Sequence, residues 1–192
     1  MREAARMVDY LRSRAAALGA PGIRVRVRAA VQEFEATVAG LSEEEARRPV
    51  RDGEWTIAQV VDHLAQTTSR VADELRHLLA GRRPPGPPVY EALTSGAAAR
   101  VPWTELLEGL RAANDEVDAL LASAAGRAPD PPTLPTVRAV LVVNRRDSDG
   151  RDQAEIFDAE LAWQEYALVQ RLHLLDHRTQ VRTLRAALRA SP

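Results

Sequence analysis

Apolar residues recur at helical spacing along most of the chain. In residues 2–18, Ala4, Met7, Val8, Leu11, Ala15 and Leu18 fall on one stripe, which stops at Gly19-Ala20-Pro21-Gly22. Ile23, Val25 and Val27 then alternate as in a strand. The alternation runs straight into Val31, Phe34, Val38 and Leu41, which are spaced as in a helix. The longer pattern predicts a helix from about Arg24 to Ala39. Leu41 to Glu45 opens a short turn or helix, and Pro49 to Gly53 reads as loop.

The clearest helix start lies at Thr56-Ile57-Ala58-Gln59, a capping box with Thr56 as N-cap and Gln59 at the third helical position. Trp55 and Val60 are placed to form a hydrophobic staple around it. The helix is predicted to run from Ile57 to about Ala80 on a stripe of Ile57, Val60, Val61, Leu64, Val71, Leu75, Leu78 and Leu79. The run from Gly81 to Pro88 stops it and begins a long connection, residues 81–102. A connection of that length suits a crossover, which lets the helices on either side run parallel. A further helix is predicted from about Thr104 to Ala122, followed by a second Pro-rich loop from Ala128 to Pro135. Val137 to Val143 is β-rich, and Asp147 to Gly150 reads as a turn. A small hairpin with Gln153–Phe157 and a short helical turn both fit this stretch. The last helix is predicted from about Ile156 to Arg189.

Composition narrows the chemistry. With 192 residues, 45% hydrophobic and 28% charged, the chain reads as a single soluble domain, with residues 1–22 as an N-terminal helical extension. The basic residues are all Arg and the net charge is −1, which gives no case for nucleic acid or an anionic membrane as partner. Arg24, Arg26 and Arg28 read as a solvated helix flank. No apolar run approaches the roughly 18–20 residues of a membrane span. The charged N-terminus lacks an apolar signal core, so a cytoplasmic location is expected. The absence of Cys excludes disulfides, a cysteine nucleophile and thiolate zinc sites. A metal would have to be held by His, Asp or Glu, and thiol chemistry would need a thiol brought in as substrate.

The four histidines sort by helix angle. His63 lies about 100° from the middle of its stripe, beside Thr56, Thr67 and Glu74, at the border of core and water. His77 lies about 140° away and reads as a surface residue. His173 and His177 are four apart and share a largely apolar face with Tyr166, Val169, Gln180 and Leu184. A buried imidazole needs partners for both nitrogens, and a metal on one with an acceptor on the other supplies them. Asp62, Glu165 and Asp176 are the candidate acceptors. Two readings stay open from spacing alone. Either His63, His173 and His177 hold a metal with one or more positions left open, the catalytic arrangement for zinc, or they are core and flank histidines satisfied by hydrogen bonds. Imidazole ligation also suits nickel, copper or iron. Leu174 follows His173 where the zinc-protease pattern has Glu, so metalloprotease chemistry is disfavoured.

Two segments resemble a known family. The run from Gly53 to Leu64, GEWTIAQVVDHL, resembles the opening of the second helix of the DinB/YfiT-like superfamily. The run from His173 to Val181, HLLDHRTQV, resembles its last helix, including Gln180. The layout agrees from about residue 23 to 189. The resemblance implies an all-α fold: a four-helix bundle of up-down-down-up type with a crossover after the second helix. It implies a divalent metal ion, often zinc or nickel, held by three histidines in a groove at one end, here His63, His173 and His177. It also implies a homodimer, and enzymes that use low-molecular-weight thiols, such as thiol S-transferases and mycothiol-dependent maleylpyruvate isomerases. The expected function is a metal-dependent enzyme acting with a small-molecule thiol and an electrophile. The alternative is a non-catalytic metal-binding or stress-response module. Residues 1–22, 81–102 and 137–155 depart from the family layout and are expected to border the substrate entrance.

Overall fold

The computed structural model describes residues 2–126, 134–146 and 152–190. The five helical stripes form four long helices. The first two stripes belong to one bent helix, α1 (Arg2–Val38), whose arms meet at Gly19 with φ 60° and ψ 177°. That backbone region disfavours any side chain, so glycine makes the bend possible. A short helix α2 (Glu43–Arg47) follows, with its own capping box between Ser42 and Glu45. In α3 (Ile57–Leu79) the backbone N–H of Thr56 donates to Gln59 Oε1 at 2.8 Å, and that of Gln59 to Thr56 Oγ1 at 3.2 Å. The other two long helices are α4 (Trp103–Ala125) and α5 (Trp163–Ala190).

The core divides into two clusters that fix the helix directions. One holds Ala30, Phe34 and Val38 from the end of α1, Ile57 to Leu64 from the start of α3, Leu106 and Leu110 from the start of α4, and Val181 and Leu184 from the end of α5. The other holds Leu11 and Ile23, then Leu75 and Leu78, Val117 and Leu121, and Tyr166 to Leu168. Chain direction through these clusters is therefore up, down, down, up. Parallel partners are tied by ion pairs, Arg76 with Glu116 between α3 and α4 and Arg178 with Glu33 between α5 and α1. Arg24 of α1 also grips Asp118 of α4 through Nε at 2.9 Å and Nη2 at 2.7 Å. Two of the three arginines expected to be solvated thus meet Asp118, Arg28 more loosely at 3.8 Å.

Parallel α3 and α4 oblige the 81–102 connection to return along the bundle. It is held on the way. Arg70 Nη2 donates to the Pro87 carbonyl at 3.1 Å, and Asp62 receives the backbone N–H groups of Ser95 and Gly96 at 3.1 and 3.0 Å.

The end of the chain corrects the predicted helix boundary. Strand β1 (Val137–Arg146) pairs antiparallel with β2 (Asp152–Leu161), Val137 opposite Leu161 and Val142 opposite Ile156. Residues 156–161 are therefore strand, and α5 starts only at Trp163. The reason is period two. Phe157, Ala159 and Leu161 turn inward while Ile156, Asp158 and Glu160 are exposed. The hairpin is also longer than the Gln153–Phe157 expectation. The predicted turn at 147–150, and residues 128–133 of the second Pro-rich loop, lie outside the described residues. The fold is otherwise all-α, and no described helix is long and apolar enough to cross a membrane.

Candidate metal centre

The antiparallel contact between α3 and α5 is a ladder of polar pairs inside the bundle. Tyr166 donates its hydroxyl to Glu74, whose other oxygen meets Arg70 Nη2 at 2.8 Å. Further along, Gln170 Nε2 donates to Thr68 Oγ1 at 2.8 Å, and both residues are buried. Burial, followed by the Glu74 carboxylate, pushes the Tyr166 hydroxyl well above its ordinary pKa, so it stays a donor.

The last rung brings together the three histidines that the sequence singled out. His63 Nε2 lies 3.0 Å from His173 Nε2, and His177 Nε2 lies 3.0 Å from the same atom. Their ring centroids are 4.5–5.0 Å apart, and one ring nitrogen from each falls within 4.8 Å of the others. His63 is buried and the other two are half-buried. His77, in the last turn of α3, is half-buried and takes no part; at about 1.5 Å per residue it sits some 21 Å from His63 along the helix.

The outer nitrogens settle the tautomers of two rings. His63 Nδ1 faces the Leu93 carbonyl at 2.9 Å, and His177 Nδ1 faces Gln180 Oε1 at 2.7 Å. Both partners are acceptors, so each Nδ1 carries the proton and each Nε2 presents a lone pair. Two lone pairs therefore point at His173 Nε2, and one N–H there can serve only one of them. A cation among the three nitrogens satisfies all of them, and the donor set suits a divalent transition metal.

Burial acts in the same direction. It lowers His173 to a pKa of about 3, with neighbouring His177 and His63 adding to the effect. Burial also lowers His177 to about 4, against the opposing bond to Gln180, and lowers His63 against its Leu93 bond. The rings are neutral near pH 7, the state in which imidazole is a ligand.

Several neighbours were not legible from spacing. The Leu93 carbonyl, not Asp62, serves His63; Asp62 is occupied by Ser95 and Gly96. Glu165 keeps a buried Oε2 without a hydrogen-bond partner among the described residues, and Asp176 is exposed. Trp55 walls the cluster. Its ring lies 5.0 Å from that of His63 and is stacked at 6.4 Å and 11° on that of His177. His63 is more buried than a border position predicts, because the crossover at Leu93–Gly96 covers it. Of the three departures from the family layout, this crossover reaches the histidines. Leu11 and Ala15 of the N-terminal arm, and Val137, Ala139 and Leu141 of the hairpin, pack in the other half of the core.

Comparison with known proteins agrees with this geometry. A stretch of 44 residues is 50% identical to a protein of Geobacillus thermodenitrificans (strain NG80-2) named "Putative metal-dependent hydrolase". The stretch covers 21% of this chain and 25% of that relative, so the chain spans about a quarter of the relative's length. No solved structure matches the chain significantly. The profile of the DinB superfamily matches residues 26–146, more than half of the chain. The match includes His63 and stops short of α5, so the convergence of His173 and His177 on that residue is an independent observation. Fold, histidine cluster and profile together place this chain in the DinB superfamily.

Proposed function

We propose that His63, His173 and His177 hold a divalent ion, zinc or nickel, and that the chain is an enzyme of the S-transferase type acting with a low-molecular-weight thiol on an electrophile. The observation that carries the metal is the set of three Nε2 atoms around one point, with two outer nitrogens already spent on fixed acceptors. Such an ion supplies Lewis acidity and lowers the pKa of a thiol or water brought to its open position.

The chain's own residues prepare that position. Leu93 and Gln180 fix two tautomers and aim the rings inward. Trp55 closes one side against water. The chain has no Cys of its own, so a thiol nucleophile has to arrive with a cosubstrate. The name of the Geobacillus relative favours a second reading, in which water takes the place of the thiol and the reaction is hydrolysis. A non-catalytic metal-binding module is the third. One domain with a helical extension at 1–22, working as a cytoplasmic homodimer, completes the proposal.

Elemental analysis of untagged protein tests the metal, with about one zinc or nickel per chain expected. Small thiols offered with 1-chloro-2,4-dinitrobenzene then test the chemistry. Thiol-dependent turnover that disappears after chelation supports the transferase. Thiol-independent cleavage of a model ester supports hydrolysis. A spectrum showing a fourth protein ligand closing the site supports the non-catalytic module.

A further inference from the structure

The bend in α1 leaves a concave corner that α5 closes. It is a shallow cleft open to solvent. Leu11 and Tyr10 line it from the first arm of α1, and Leu168 from α5. Three guanidinium groups share the lining: Arg14 on the first arm, Arg26 on the second, and Arg171 on α5. No carboxylate lines the cleft. Among the described residues, none of the three arginines makes a hydrogen bond or an ion pair.

This is unusual for the interface it belongs to. The second arm of α1 runs parallel to α5, and Glu33 meets Arg178 there. Arg26 is seven residues before Glu33, and Arg171 is seven before Arg178. Two helical turns along the same pair of helices, the pairing thus changes from acid against base to base against base. Like charges at such a position are unfavourable unless an anion lies between them. The corner is also separate from the histidines. Arg171 precedes His173 by two residues, which puts it about 160° round the helix.

We infer that this elbow binds a small amphiphilic anion, its carboxylate or phosphate-monoester head held by Arg14, Arg26 and Arg171 and its apolar body laid over Leu11, Leu168 and the Tyr10 ring. Guanidinium forks match such heads, and leucine with a tyrosine face matches the body. The inference does not depend on the metal or on the reaction proposed above.

Calorimetric titration of the full chain with octanoate, octyl phosphate, octanol and inorganic phosphate is the test. Saturable binding of octanoate or octyl phosphate, much tighter than that of octanol or inorganic phosphate, is expected, and the tighter of the two names the head. Arg26→Gln and Arg171→Gln each weaken it about tenfold, as loss of one charge-assisted contact does. His173→Ala leaves it unchanged. Binding that survives both arginine substitutions, that is lost with His173→Ala, or that octanol matches would overturn the assignment, and so would no saturable binding. A second readout needs no ligand. At low ionic strength Arg26→Gln raises the melting temperature, and added salt removes the gain. An unchanged or lower melting temperature means that Arg26 already has a counter-charge, and the elbow is then no anion site.

Discussion

Two faces of α5 follow different rules. The face towards α3 buries its polar groups and matches Tyr166 with Glu74 and Gln170 with Thr68, but leaves unmatched the inner nitrogens of the three histidines. The face towards α1 is partly wet and carries charge, with Arg178 on Glu33 and Arg185 on the Thr37 carbonyl. Burial explains the difference. An unmatched polar group costs a great deal in the dry interface and little in the wet one. A mismatch therefore means more where the surroundings are dry. Three nitrogens round one point on the inner face call for a cation more strongly than three free guanidinium groups on the outer face call for an anion.

The strongest test of the contrast is at the histidines. His173→Ala or His177→Ala should abolish stoichiometric metal binding, and His77→Ala should leave it intact; equal loss in all three variants would refute the cluster as the ligand set. Next comes pH. The folded imidazoles titrate below the ordinary value near 6.5. The unfolded chain therefore takes up protons first as pH falls. In metal-stripped protein the stability is full above about 6.5 and declines towards pH 4, with a shallower decline in His173→Ala. Denaturant melts across that range measure it, and a flat profile would contradict the burial. The same depression lets histidine ligands keep an ion below pH ~6.5, so retention there does not by itself point to carboxylates.

Thr68→Val should cost about 1–3 kcal/mol, because it strands the buried Gln170 amide. Thr68→Val with Gln170→Leu should recover much of that. Additive losses in urea unfolding would mean that the two side chains are not matched to each other. Glu33→Ala on the wet face should change stability least, by about 0.2–1 kcal/mol, and less in high salt.

The sequence announced what is local. The capping box at Thr56, the break at Gly19 and the stripes of α3 and α4 all act within a few residues, and each stands where its pattern put it. The four-residue spacing of His173 and His177 is local too. Their meeting with His63 was legible through family likeness, since helix angle alone favoured hydrogen-bonded core histidines. The hairpin was one of two readings, and its second strand was drawn too short because Ile156 to Leu161 takes its strand form from a partner at 137–142, while its apolar residues also suit the start of a helix. The acceptor on His63 is a backbone carbonyl, which every residue possesses, so no side chain advertised Leu93. Trp55 was read only as a staple because its place beside His177 depends on a helix more than a hundred residues away.

The crossover from α3 to α4 works as a strap buckled at both ends. Arg83 and Tyr90 fasten it to the hairpin through Glu160 and Asp158, and Leu93 and Ser95 fasten it over His63 and Asp62. A single protease cut between the two buckles would leave the carbonyl that keeps one imidazole turned inward held by Ser95 and Gly96 on Asp62 alone.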